Sequence, residues 1–268
     1  MSVKQSIKNA VKGIIPVNYQ PVVKRGFRRL IYFGKAYHCP VCGSNVRMMK
    51  PLGYDLPVIL EKQIVGSGLR NAMCPVCGSS DRVRLLYLFL RNRTNLFTEP
   101  VKLLHLAPEK PLMDILVKQN NIDYLTADLN PEQVMVKMDI TAIQYPENTF
   151  DAILCNHVLE HIPDDLKAMS ELYRVLKPRG WAILQVPVSK VLEETYEDFT
   201  ISSPLEREKH FGQKDHVRIY GKDYTQRLKE AGFTLETYNW TKDNAFQNEK
   251  NKYGLNPDET VFYCSKKK

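Results

Sequence analysis

Cys39-Pro-Val-Cys42-Gly43 recurs unchanged as Cys74-Pro-Val-Cys77-Gly78. Two cysteines separated by two residues let a pair of thiolates converge on one ion, and the glycine after each pair lets the backbone turn its amides toward sulfur. Two such knuckles supply four sulfurs, the tetrahedral set preferred by structural Zn²⁺. Cys39, Cys42, Cys74 and Cys77 are therefore the expected ligands of a zinc ribbon, although an iron site of the rubredoxin kind would use the same knuckles. A redox pair would normally occur once, near the start of a βαβ unit. Four sulfurs close the coordination sphere, so the metal is expected to hold a small domain together, with no need of His38 as a ligand.

A second constellation is His157-Val-Leu-Glu160-His161. It matches the HxxEH pattern of inverted zinc peptidases, which requires one helix carrying both histidines. Here a strand-like run ends near Cys155 and Pro163 follows, so no long helix surrounds the motif and the peptidase reading fails.

The elements that must position these residues can be read from residue 81 onward. Apolar runs at 101–106, 122–127, 134–138, 150–155, 181–186, 233–238 and 261–264 alternate with helix-like segments at 80–93 and after Pro111, Pro163 and Gly221. This alternation predicts an α/β fold with a largely parallel sheet. Pro111 and Pro163 suit first-turn positions, and Lys177-Pro-Arg-Gly180 is expected to stop a helix before the strand at Trp181. The chain thus divides into a basic N-terminal segment (1–35), a four-cysteine ribbon (36–80) and an α/β domain (81–268).

Of the 268 residues, 38 are Lys or Arg and 30 are Asp or Glu, for a formal charge of +8. The charge is uneven: ten basic residues and no acid precede Asp55. Hydrophobic content of 43% and charged content of 25% exclude wholesale disorder. No apolar run approaches the roughly 20 residues needed to span a bilayer, and Lys4, Lys8 and Lys12 interrupt any secretory h-region. Six cysteines in this pattern imply metal and a reducing compartment, so the expected location is cytoplasmic.

From about Val101 the chain resembles the class I S-adenosylmethionine-dependent methyltransferases, most closely their type 11 group. The resemblance rests on Phe150-Asp-Ala-Ile-Leu-Cys-Asn-His-Val-Leu-Glu-His-Ile-Pro163, on Leu172-Tyr-Arg-Val-Leu-Lys-Pro-Arg-Gly-Trp-Ala-Ile-Leu184 and on Ala231-Gly-Phe233. It implies a Rossmann-like seven-stranded methyltransferase sheet that binds S-adenosyl-L-methionine at the carboxyl ends of its first strands. Asp128, 23 residues after His105, matches the acid that receives the ribose hydroxyls, with Leu129 beside it. Asp139 matches the residue that receives the adenine amino group, with Ile140 next to the ring, and Asn156 and His157 match positions beneath the methionine sulfur. The first loop departs from the pattern: His105 stands where an acid is common, and Ala107, Glu109 and Pro111 replace the usual glycines. The resemblance then implies that Glu109 meets the cofactor's ammonium and His105 its carboxylate. In ubiquinone-biosynthesis O-methyltransferases, positions matching His157, Glu160 and His161 can bind a divalent ion. Here the first is His and not an acid, so Glu160 and His161 read as structural hydrogen-bonding groups at a helix start.

Residues 188–220 form a connection longer than the usual 2–6 residues, which suggests a lid over the substrate. His210 and His216 within it are the candidate general bases for methyl transfer to a hydroxyl, since histidine titrates near neutrality. The string His216-Val-Arg-Ile-Tyr220 also resembles one that orders the lid in family members. The expected acceptor is a small molecule or lipid-linked saccharide, and residues 1–35 are expected to make peripheral contact with an anionic membrane, on its inner face. Two alternatives remain open: an RNA methyltransferase guided by the ribbon and basic arm, and a non-catalytic binding module.

Overall fold

The computed structural model describes residues 20–246 and 250–267. Residues 1–19 of the basic N-terminal segment lie outside the described residues, and the next residues form α1 (Gln20–Ile31). Two short hairpins follow, β1 (Phe33–Cys39) with β2 (Ser44–Val46), and β3 (Lys50–Leu52) with β4 (Arg70–Met73). The first knuckle is the turn between β1 and β2, and the second follows β4. Gly43 and Gly78 take φ of +67° and +80°, the left-handed region that each knuckle's return requires, and their amides donate to the carbonyls of Cys39 and Cys74. Between β3 and β4 a loop carries the short helix α2 (Pro57–Glu61).

The α/β region is built on a seven-stranded sheet. Its strands are β5 (Val101–Leu106), β6 (Ile122–Asp128), β7 (Val136–Lys137), β8 (Phe150–Asn156), β9 (Leu176–Gln185), β12 (Thr234–Tyr238) and β13 (Val261–Ser265). The order across the sheet is β12-β13-β9-β8-β5-β6-β7, with β13 antiparallel to both neighbours and the strands from β9 to β7 parallel. Helices cover both faces, so β5 and β8 are apolar almost throughout, as doubly covered parallel strands must be. The order reverses at β5, and the crevice beyond Leu106, Asp128 and Asn156 is where such sheets bind ligands.

Helix α3 (Asp81–Arg93) starts where the Ser80 side chain accepts from the Val83 amide. Helices α4 (Lys110–Leu116), α5 (Asp165–Val175) and α7 (Tyr224–Glu230) complete the layers. Pro111 lies in the first turn of α4, as expected, but Pro163 precedes the α5 cap, Asp164, whose side chain accepts from the Lys167 amide. Lys177–Gly180 also differs from expectation. It belongs to β9, whose pairing with β8 is interrupted between Phe150 and Ala152, so the segment is an irregular start of the strand and not a stop before it.

The connection at 188–220 holds β10 (Tyr196–Glu197), helix α6 (Pro204–Phe211) and β11 (Arg218–Ile219), with β10 and β11 paired antiparallel. Phe211 and Ile219 form a small core with Val58, Ile59 and Ile64, so the lid packs on the loop of the ribbon.

The ribbon is joined to the sheet by a continuous core. Cys39, Val46, Met49, Cys74 and Val76 cluster with α3 and with Leu103, Leu154 and Ile183 of the sheet. Arg84, fully buried, donates to the carbonyls of Ala72 and Ser79 on the ribbon side and to those of Tyr253 and Gly254 near the carboxyl end. Burial lowers its pKa, which the nearby Cys39 and Asp81 oppose.

Candidate active site and metal centre

The four ribbon sulfurs converge. Cys39 and Cys77 Sγ are 3.7 Å apart, Cys42 and Cys74 Sγ are 3.9 Å apart, and all four lie within 4.8 Å of one another. A tetrahedron with Zn–S bonds of about 2.3 Å has edges of about 3.8 Å, so the residues fit the metal. A divalent cation at their centre would hold all four as thiolates and offset the repulsion between them. Cys155 and Cys264 are buried, and burial raises their pKa values, so they are inert thiols.

A cavity of about 420 Å³ opens at the sheet's switch point, lined by Leu106, Ala107, Ala127, Asp128, Leu129, Met138, Ile140, His157, Val158, His161, Ile162 and Asp215. Five residues predicted for the cofactor are among them: Ala107, Asp128, Leu129, Ile140 and His157. Asp128 ends β6, and its Oδ1 accepts from the Asn130 amide at 2.9 Å, which orients the carboxylate. Ala107 has φ +43°, so the first loop keeps a left-handed turn without glycine. That conformation is strained for alanine and is anchored by its amide donating to the Ala127 carbonyl at 2.9 Å.

His105 is placed differently from expectation. It is wholly buried, with Nδ1 2.9 Å from the Tyr124 hydroxyl and Nε2 3.0 Å from Glu109 Oε2. Both ring nitrogens are thus engaged within the protein. Burial works against the Glu109 charge, but the hydrogen bond and charge of His105, a backbone hydrogen bond and the nearby His157 together hold the carboxyl below its usual range. The Asn156 amide lies 3.5 Å from the same oxygen, while Asn156 Oδ1 is buried without a partner. Asp139 is exposed, its Oδ1 engaged by the amide and hydroxyl of Thr141, and it does not line the cavity.

A second cavity, of about 490 Å³, lies between the ribbon and the lid. Its walls are Pro51, Leu52, Gly53, Tyr54, Gly66 and Ser67 from the ribbon, with Arg82, His157, Glu160, His161, Pro187 and Gln213. Sequence reasoning missed the ribbon's part in it, because no motif links residues 51–67 to residues 157–161. His157 and His161 line both cavities. His157 follows β8 directly, with φ +56°. Its Nδ1 lies 3.3 Å from both Arg82 Nη1 and Glu160 Oε1, accepting from the first or donating to the second according to tautomer. Burial, seconded by Arg82, lowers its pKa and keeps the imidazole neutral.

The two expected bases separate. His210, on α6, is half exposed, bonded to the Tyr196 hydroxyl at 3.1 Å, and lines neither cavity. His216 is buried with its ring 4.7 Å from that of His161. Arg218, almost fully buried, pairs with Glu197 at 2.8 Å and donates to the carbonyls of Leu159, Ile162 and Pro163, so it ties the lid to the turn after β8.

Residues 102–184 match the protein family described as a methyltransferase domain. That match lies wholly within the seven-stranded α/β sheet. The matched residues run from β5 through β9 and so contain every strand end that lines the first cavity. An uncharacterized protein of Methanocaldococcus jannaschii is 36% identical over 94 residues, covering 32% of this chain and 41% of that protein. The ubiquinone/menaquinone biosynthesis C-methyltransferase of Pseudoalteromonas translucida is 24% identical over 131 residues, covering 44% of this chain and 48% of that enzyme. The chain thus spans less than half the length of these curated relatives. Among solved structures, a SAM-dependent methyltransferase from Archaeoglobus fulgidus superposes with a TM-score of 0.44 at 14% identity, covering 70% of this chain and 95% of that one. Among the described residues, no helix of the α/β region or the ribbon is long and apolar enough to cross a membrane.

Proposed function

We propose that the protein transfers a methyl group from S-adenosylmethionine to a small-molecule acceptor held between the ribbon and the lid. The observation that carries this reading is that two cavities share His157 and His161, one formed by strand ends that include Asp128 and the other by the ribbon loop. The residues of the first cavity suit the cofactor: Asp128 offers a carboxylate for the ribose hydroxyls and Leu129 and Ile140 flank the place of the adenine, while outside that lining the unpartnered Asn156 Oδ1 and the neighbouring Glu109 carboxylate are the groups proposed for the aminoacyl end. When bound, S-adenosylmethionine supplies a methyl group on a sulfonium, already activated toward a nucleophile. The chain's own tasks are to hold and orient the acceptor, to exclude water and to take up its proton. His157 is the base this geometry favours over His210, because it is neutral and faces both cavities.

The second cavity has the size of a small-molecule site. Tyr54 offers a ring face, and Arg82, Gln213 and Ser67 offer polar groups, a mixture that suits an oxygen-rich acceptor such as a saccharide. Peripheral contact with an anionic membrane would be made through α1, where Val22, Phe27 and Leu30 are exposed beside Lys24 and Arg28. Location in the cytoplasm fits the reduced four-sulfur set.

The test is calorimetry with S-adenosylhomocysteine on zinc-loaded protein. Binding is expected, weakened at least tenfold by Asp128→Ala. No binding to folded protein would sink the reading, and unchanged affinity in the variant would remove Asp128 from the site.

A further inference from the structure

Glu160, His161 and His216 come from distant parts of the chain, the first two from the turn after β8 and the third from the lid just before β11. One ligand atom of each lies within 4.8 Å of the other two. Two of these residues end in buried atoms without a partner, Glu160 Oε2 and His216 Nε2, on side chains only 2% and 4% exposed. Each such orphan costs about 1–3 kcal/mol, so a fold that brings both to one point calls for an occupant.

The opposite atoms of all three residues are held in place. Glu160 Oε1 is 3.3 Å from His157 Nδ1, His161 Nδ1 is 3.2 Å from Asp215 Oδ2, and the His216 ring is hydrogen-bonded by the Phe211 backbone. A histidine that binds metal through one nitrogen ordinarily donates from the other to a carboxylate or carbonyl, which fixes the ring and its tautomer. Both histidines here have that support.

We propose that Glu160, His161 and His216 bind one divalent ion of the borderline transition series (zinc, manganese or ferrous iron), separate from the four-cysteine centre. Two imidazoles and a carboxylate suit such ions, whereas Mg²⁺ favours an all-oxygen shell that retains its waters. Three protein donors leave at least one coordination position for an exogenous ligand. Because Glu160 and His161 line the cavity of about 490 Å³, that ligand is water or an oxygen of the acceptor. This last step rests on the methyl-transfer reading, whereas ion binding does not. Since His216 belongs to the lid and the other two donors to the sheet's edge, the ion also fastens the lid over the acceptor.

The test is titration of zinc-loaded protein with Mn²⁺, an ion with little affinity for thiolate sites, followed by electron paramagnetic resonance. One Mn²⁺ per chain is expected. Glu160→Gln and His216→Gln should each weaken it at least tenfold while leaving the circular dichroism spectrum unchanged. Should either variant fail to fold, the wild type still decides: paramagnetic broadening must fall on the His161 and His216 side-chain resonances. Absence of Mn²⁺ binding at millimolar concentration, binding insensitive to both substitutions, or broadening confined to other histidines would overturn the site. A protein that binds S-adenosylhomocysteine but no Mn²⁺ refutes the ion alone, and the converse refutes the methyl-transfer reading alone.

Discussion

Glu259 is a buried carboxyl whose Oε2 has no hydrogen-bond partner. Burial pushes its pKa up from 4.5 to about 7, against the opposing pull of Arg82 and Arg70 and with added repulsion from Asp81 and Asp258. The folded pKa thus lies above the unfolded one, so the folded state binds more protons between them. Stability is therefore fully present below pH 4.5 and falls as pH rises through about 7. Glu259→Gln should remove that slope and be more stable than wild type above neutrality, by roughly 3 kcal/mol, with the difference vanishing in acid. Urea unfolding across this pH range checks it, and parallel curves for the two proteins would contradict it. The sequence offered no sign of Glu259, which belongs to no motif and is buried only because the segment before β13 folds back over Gly66 and Arg82. Asp128 was legible, because its place after an apolar run fixes it at a strand end. The partners of His105 were not legible, because Tyr124 reaches it through the register of β5 on β6 and Glu109 through the turn that caps α4.

The lid is held by buried charge. Arg218 satisfies Glu197 and three carbonyls after β8, while Tyr220 and Arg227 converge on Asp165 at the start of α5. Arg218→Met would strip these acceptors of their donor, and breaking a buried pair this way costs about 3–5 kcal/mol. The loss is expected as a lower urea midpoint together with faster proteolysis within residues 188–220. A midpoint unchanged from wild type would mean the lid is held otherwise. Most elements of the α/β region were legible, because doubly covered strands read as continuous apolar runs bounded by turn residues, as at 101–106 and 150–155. The start of β9 was not, because Lys177-Pro-Arg-Gly180 has the composition of a turn and enters the sheet only through an irregularity in its pairing with β8.

Ribbon and sheet share one core, from Cys39 and Cys74 through α3 to Leu103 and Ile183. Removing the ribbon's zinc with a chelator should therefore lower the melting temperature of the whole protein in a single transition, read equally by far-ultraviolet dichroism and tryptophan fluorescence. A low-temperature transition confined to the ribbon, with the sheet's melting unmoved, would show two independent bodies. The four ligands were legible because their spacing is local. The convergence of Glu160 and His161 with His216, and of Tyr54 with His157 across a cavity, was not, since each joins residues 50 or more apart that only tertiary packing brings together. Arg84 adds a consequence for biosynthesis. Two of its acceptors, Tyr253 and Gly254, lie 169 and 170 residues further along the chain. At roughly 5–20 residues per second, a ribosome makes them about 10–30 seconds after the ribbon emerges. During that interval the ribbon can capture zinc while one side of its guanidinium anchor still faces water, so metal loading is free to precede docking, and a nascent chain stalled before residue 253 would carry a ribbon not yet sealed by those two acceptors.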